Sequence, residues 1–157
     1  LNIFVLDINP EIAAQFHCDK HVVKMILESA QLLSTCHQIL DGKNDIFYKS
    51  THINHPCNKW VRESSENYKW LYSLFYYLCK EYQYRYNKIH LTESKLLQIL
   101  SNLPKNIKHY TLTEFSLCMP ENCKINNDVV ESYRNYYIKQ KLFAKWNRNR
   151  EKPFWYK

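Results

Sequence analysis

The residues best equipped for proton and phosphate chemistry lie early in the chain. His17, His21, Lys24, Glu28 and Gln31 recur at offsets 0, 4, 7, 11 and 14. At about 100° per residue, such offsets fall in one stripe along a helix. The stripe offers imidazoles that exchange protons near neutral pH, an ammonium group and one carboxylate. A solvated polar face is the plain alternative, although such faces more often mix lysine with glutamate than align two histidines with one acid. His17 and His21, one helical turn apart, could also hold a metal ion, with His52, His55 and Cys57 as further ligands. The H-x-x-H-x-C spacing of 52–57 is compatible with coordination, but the helix lacks the HExxH pattern of a zinc protease. In the alternative reading His55, which precedes Pro56, bonds loop backbone instead.

Three stretches interleave aromatic and basic groups. Residues 81–88 contain Arg85 and Lys88, residues 145–150 contain Arg148 and Arg150, and residues 153–157 contain Trp155, Tyr156 and Lys157. Cations neutralise phosphates, and aromatic faces stack on unpaired bases for about 1–3 kcal/mol per base. Against this stands the simpler reading that most tyrosines are core. The last stretch looks the most exposed of the three. A serine nucleophile lacks any Gly-flanked elbow. Cys18, between His17 and Asp19, points away from the histidine stripe on a helix.

The elements that must position these groups follow from composition and periodicity. The chain has 157 residues, a single-domain length, and 22 Lys+Arg against 15 Asp+Glu give it a net charge of +7. That excess points to a polyanionic partner such as nucleic acid. The one glycine, Gly42, excludes a Gly-rich dinucleotide turn and a P-loop, and argues against hairpin-rich β folds. The opening LNIFVLDINP is short, has no basic flank and is interrupted by Asp7 and Pro10, so it does not read as a secretory signal. No run approaches the roughly 18 apolar residues of a membrane span. The six cysteines form no C-x-x-C pair and are expected to be reduced and mostly buried.

Asn9, Pro10 and Glu11 form a helix start, and Ile12, Ala13, Phe16, Val23, Leu27 and Ala30 predict one helix running to about Leu40. Asp41-Gly42 ends it. Residues 1–7 are expected to be extended and packed on this helix. A loop leads to Pro56, where a second helix begins and runs to about Tyr86, with Ser64–Asn67 as a polar site or kink. A shorter helix follows Thr92 and ends near Pro104. Residues 104–126 read as irregular, and a last helix from Asn127 or Asp128 includes Leu142 and Phe143. The expectation is an all-α protein: a single compact domain over 1–157, about four helices, irregular connections and a basic aromatic C-terminal tail.

The stretch from His17-Cys18-Asp19-Lys20-His21 through Val23-Lys24, Glu28-Ser29-Ala30-Gln31 resembles a family of phage and large-virus proteins. So do His55-Pro56-Cys57, Trp60, Glu63-Ser64, Asn67 and Phe143-Ala144-Lys145-Trp146. In overall layout that family is similar to the pyrimidine dimer DNA glycosylases of the phage endonuclease V type. The layout match consists of an early helix, a middle helix ending in Cys79-Lys80-Glu81 and Arg85-Tyr86, and a Pro-aromatic-Trp-Tyr-Lys end.

The resemblance implies a small helical enzyme without cofactor, acting on DNA as a monomer, with no membrane partner. It also implies an intracellular setting, the host cytoplasm or nucleoid of a virus or phage. In that family the α-amine of the mature N-terminus attacks the sugar C1′, expels the base as a Schiff base forms, and cuts the strand by β-elimination. Carried over, the amine belongs to Leu1 or Asn2, and Glu28 is the nearest candidate carboxylate. An ungapped register about Gln15 instead places Val23 at the family's acid. His21 and Lys24 would bind phosphate or tune Glu28. Arg85, Lys88, Arg148, Arg150, Trp155, Tyr156 and Lys157 would hold DNA. The cluster His17, Asp19, Lys20, His21 has no counterpart in the family. An unperturbed α-amine titrates at about 7.7–8.0, so part of it is nucleophilic at neutral pH. The rival expectations are a metal-dependent enzyme using His17, His21, His52 and His55, a non-catalytic nucleic-acid-binding protein, and a capsid or host-takeover protein.

Overall fold

Local capping chemistry sets most of the helix boundaries. The Asn9 side chain accepts the N–H groups of Glu11 and Ile12, and Pro10 supplies the first residue of α1 (Pro10–Phe16). The computed structural model, which describes residues 1–157, shows that this helix does not run on to Leu40. His17 and Cys18 take extended backbone angles, and a separate helix α2 (Asp19–Asp41) begins behind them. Periodicity continues across the break, so the sequence pattern concealed it.

Tertiary bonds hold the joint. The Arg85 guanidinium donates to the carbonyls of Gln15 (2.8 Å) and His17 (2.7 Å), the acceptors left free where α1 ends. The Trp146 indole N–H donates to the Phe16 carbonyl at 3.1 Å. The Asp19 N–H donates to the Lys145 carbonyl at 2.9 Å.

The expected second long helix also divides. α3 (Pro56–Glu63) ends at Ser64, whose extended backbone and side-chain cap on the Asn67 N–H start α4 (Ser65–Tyr86). Asn67 is the reason for the polar interruption. Its Nδ2 donates to the Trp60 carbonyl and to Thr113 Oγ1, both at 2.8 Å, and its Oδ1 accepts the Thr113 N–H at 2.9 Å. One buried amide therefore ties α3, α4 and the irregular 104–126 segment together. α5 (Leu91–Leu96) is capped by His90 rather than Thr92, and α6 (Val129–Gln140) by Asp128. Leu142 and Phe143 fall beyond α6 and are exposed. Short 3-10 turns occupy Ile99–Ser101 and Glu121–Cys123.

The result is all-helical, with six α-helices where periodicity alone suggested about four. α2 crosses α4, α1 also packs on α4, and α3 and α5 flank α2. Val22, Ile26, Leu33, Leu71, Leu74, Phe75 and Leu78 fill the interior, each at most 1% exposed. At about 25 cal/mol per Å², each such side chain contributes about 1.5–3 kcal/mol. All six cysteines are free thiols, and all but Cys118 are buried. No helix is long and apolar enough to cross a membrane.

The first residues are extended, as expected, and enter the core: Ile3, Phe4, Val5 and Leu6 are at most 5% exposed. Their backbone is held by side chains. Trp70 Nε1 donates to the Ile8 carbonyl, and Arg134 Nε to that of Leu6, both at 2.9 Å. The basic aromatic end differs from an exposed arm. Trp155 packs against Phe16 and Tyr137 with Arg134 stacked on its ring, and Tyr156 donates to the Lys141 carbonyl. Burial of two large indoles, Trp146 and Trp155, outweighs the solvation of the charges between them.

Candidate active site

The start of the chain comes to rest against α2. The Leu1 α-amine lies 3.6 Å from Glu28 Oε1, and Lys24 Nζ lies 3.6 Å from Glu28 Oε2. The Glu28 side chain is only 14% exposed, so this pair is sheltered while one edge still meets solvent. Asn2 anchors the amine from behind. Its Nδ2 donates to the Cys118 carbonyl at 2.8 Å, and its Oδ1 accepts the Ile3 N–H at 2.8 Å and faces the Tyr133 hydroxyl at 3.0 Å. Asn2 thereby fixes the backbone beside the Leu1 nitrogen.

Lys24 joins this pair to an open cleft of about 1120 Å³ along the N-terminal half of α2. Lys20, Lys24, Lys145 and Arg148 line it, with Asp19 as its one acid. Asp19 is already engaged: Oδ1 accepts from Arg85 at 3.1 Å and Oδ2 from the Asn147 N–H at 2.8 Å. The cleft is thus cationic in effect. Arg148 stacks on Tyr86, 4.4 Å from its ring centre, and Lys20 sits over Phe143 at 5.1 Å. These contacts hold the cations at the rim without neutralising them.

Other expected site residues are buried. His21 is 2% exposed, its Nδ1 lies 2.6 Å from the Tyr137 hydroxyl, and its ring lies 4.6 Å from that of Phe4. Burial, reinforced by His17 and the lysines around it, pulls its pKa down to about 2. It is neutral at working pH and does not offer phosphate a charge. His17 is fully buried behind it, donates to the Ala13 carbonyl at 2.7 Å, and is held at about 4 by burial. The expected stripe is therefore partitioned: His17 and His21 are buried, His21 against the cleft wall, while Lys24 and Glu28 stand beside the Leu1 nitrogen.

Arg85 is likewise no surface cation. Its side chain is enclosed by Glu81 (2.8 Å), Asp19 (3.1 Å) and the two α1 carbonyls. Arg150 is half-buried against the same Glu81 at 2.6 Å, and Trp155 is core. Arg148, Lys88 and Lys157 remain exposed.

The four histidines of the metal reading do not converge. His17 and His21 are interior, and His52 is exposed and bonded to Thr51. His55 instead meets Cys57 and Cys118, their ligand atoms within 4.8 Å of one another. The Cys57 thiol donates to Cys118 Sγ at 3.6 Å, which draws the Cys118 pKa down to about 7 and raises that of Cys57. Cys118 had no sequence signal, because it lies in the irregular segment far from the other two. Lys20 and Lys145 were also missed as cleft residues, although both fall inside the stretches that carry the resemblance.

A family model described as pyrimidine dimer DNA glycosylase matches residues 1–94. No curated protein and no solved structure matches. The matched region contains the first residues, all of α2 and all of α4, and hence the amine, Glu28 and Lys24.

Proposed function

The chain belongs to the pyrimidine dimer DNA glycosylase family, and from that premise we propose a DNA glycosylase with abasic-site lyase activity on damaged or modified bases. Membership makes the protein an enzyme of DNA repair and DNA its substrate. The observation that carries the finer reading is the sheltered pair of the Leu1 amine and Glu28, 3.6 Å apart.

In the proposed reaction Glu28 accepts a proton from the ammonium group, freeing the amine's lone pair. The amine forms a bond to C1′ while the C1′–base bond breaks, and the base leaves with that electron pair and takes up, through solvent, the proton shed by the newly bonded nitrogen. The protonated Glu28 returns its proton to the sugar ring oxygen as the ring opens, giving an imine. Loss of a C2′ proton then expels the 3′ phosphate, and water releases the enzyme from the imine. Glu28 stands 3.6 Å from the only nucleophile this scheme needs, so a closure of about 0.5 Å or one bridging water completes the proton path.

The cationic cleft supplies the rest. Lys20, Lys24, Lys145 and Arg148 are arranged to hold backbone phosphates beside the amine. A lesion weakens stacking, so drawing its nucleotide out of the helix costs least there.

Borohydride trapping tests the reading, on protein whose first residue has been read by mass spectrometry. Borohydride reduces an imine to a stable amine, so abasic-site DNA should become covalently attached to the N-terminal peptide. Ultraviolet-irradiated DNA should be cut and undamaged DNA left intact. Glu28→Gln should slow trapping about 100-fold or more, the range for a lost acid–base group, with DNA affinity retained. An adduct on Lys24, or unchanged trapping by Glu28→Gln, would refute the assigned roles.

A further inference from the structure

His55, Cys57 and Cys118 form a cluster that the glycosylase reaction leaves unused. We propose that these three side chains bind one thiophilic divalent cation of the zinc class, clamping the 104–126 segment and the start of α3 beside the chain's first residues. The donor atoms lie within 4.8 Å of one another, and the two sulfurs are 3.6 Å apart. Two thiolates on one tetrahedral zinc, each at about 2.3 Å, stand roughly 3.8 Å apart, so the sulfurs are already at coordination spacing. A disulfide would need about 2.05 Å. Imidazole and thiolate donors select zinc over magnesium or calcium, which take oxygen.

His55 Nδ1 accepts the Cys57 N–H at 3.1 Å, so the ring proton sits on Nε2 and the Nδ1 lone pair is turned toward the Cys57 side. That lone pair is engaged in capping α3, so the ion binds there in exchange for the Cys57 N–H contact. His55 is half-buried at a loop–helix junction, so its ring has room to turn toward the sulfurs. Cys57 and Cys118 bind as thiolates, and their protons pass to solvent. Three protein ligands leave the fourth position to a solvent molecule.

The site adjoins the amine without containing it. Asn2 Oδ1 lies 3.6 Å from Cys57 Sγ, and Asn2 Nδ2 bonds the Cys118 carbonyl. A bound ion therefore fixes the residues that anchor Leu1, independently of whether the amine is the nucleophile.

Elemental analysis of protein purified without added metal should find one zinc per chain. Cobalt(II) added to metal-stripped protein should give the intense thiolate-to-cobalt absorption of a two-sulfur site. Cys57→Ser/Cys118→Ser should lose both signals, His55→Gln should bind cobalt at least tenfold more weakly, and His52→Ala should behave as the parent. The cobalt spectrum of the unmutated protein decides the matter even if the double variant does not fold. Absence of that absorption overturns the proposal. So does metal that survives the double substitution, or a Cys57–Cys118 disulfide in place of the metal.

Discussion

At the scale of single residues, the decisive contrast is between histidines and the acid that follow one another along the sequence. His17 and His21 are enclosed and neutral, while Glu28 keeps a solvent edge and two cationic neighbours. The buried histidines have a measurable consequence. An unfolded histidine titrates near 6.5, whereas burial holds His17 at about 4 and His21 at about 2. Both folded values are depressed, so the unfolded chain binds protons first as pH falls. Their contribution is fully present above pH 6.5 and declines below it, ending near pH 4 for His17 and near pH 2 for His21. His17 alone accounts for about 3 kcal/mol over its window. Urea titrations at pH 7 and pH 4.5 should show a loss to which both histidines contribute, and His17→Gln should flatten the acid limb. An acid limb of unchanged slope in that variant would mean other groups drive the loss.

At the scale of elements, the joint between α1 and α2 shows how one side chain substitutes for helix continuity. Arg85 reaches from the end of α4 and uses its planar fork on Glu81, Asp19 and two terminal carbonyls of α1. Removing it leaves the Gln15 and His17 carbonyls without this donor and takes one partner each from Glu81 and Asp19, which keep Arg150 and the Asn147 N–H. Arg85→Met should therefore cost about 3–5 kcal/mol of stability by urea denaturation. Arg85→Lys should recover only part, because an ammonium cannot span the fork. The same joint directs Asp19 and the start of α2 into the cleft wall. Without the break, Lys20 and Lys24 would continue the face of α1.

At the scale of the whole molecule, the charge excess of +7 becomes useful only where it is concentrated. Glu81 and Asp19 absorb Arg85 and Arg150, whereas Lys20, Lys24, Lys145 and Arg148 remain turned to the cleft. If those four contact phosphates, log affinity for duplex DNA should fall against log salt with a slope near −3.6, about 0.9 per contact. Lys20→Ala and Lys145→Ala should each reduce the slope by about 0.9, measured by fluorescence anisotropy over a salt series. Lys88→Ala, outside the cleft, should leave it unchanged. Equal effects at Lys88 would mean that the whole basic surface, and not the cleft, binds DNA.

The sequence by itself determined what depends on neighbours within a turn or two of helix. Asn9, Ser64 and Asp128 cap helices because their side chains reach N–H groups two or three residues ahead. The lone glycine and the apolar spacing pointed to a helical fold, the stretch from His17 to Gln31 carried the resemblance to a phage and large-virus family, and the layout of helices and C-terminal end carried that to the glycosylases. The helix break at Cys18 is hidden because the apolar period runs straight through it, whereas that at Ser64 shows as a polar interruption; the tertiary partners at the two breaks are Arg85, Trp146 and Thr113. Tertiary structure alone decided the site. It set the Leu1 amine over Glu28, turned the aromatic tail inward and brought Cys118 to Cys57. Asn2 and Cys118 meet across 116 positions, and Cys57 and Cys118 across 61. Such meetings arise from the burial of α2 against α4 and of the first residues beneath α6, and no local pattern records which distant residues that packing will bring into contact.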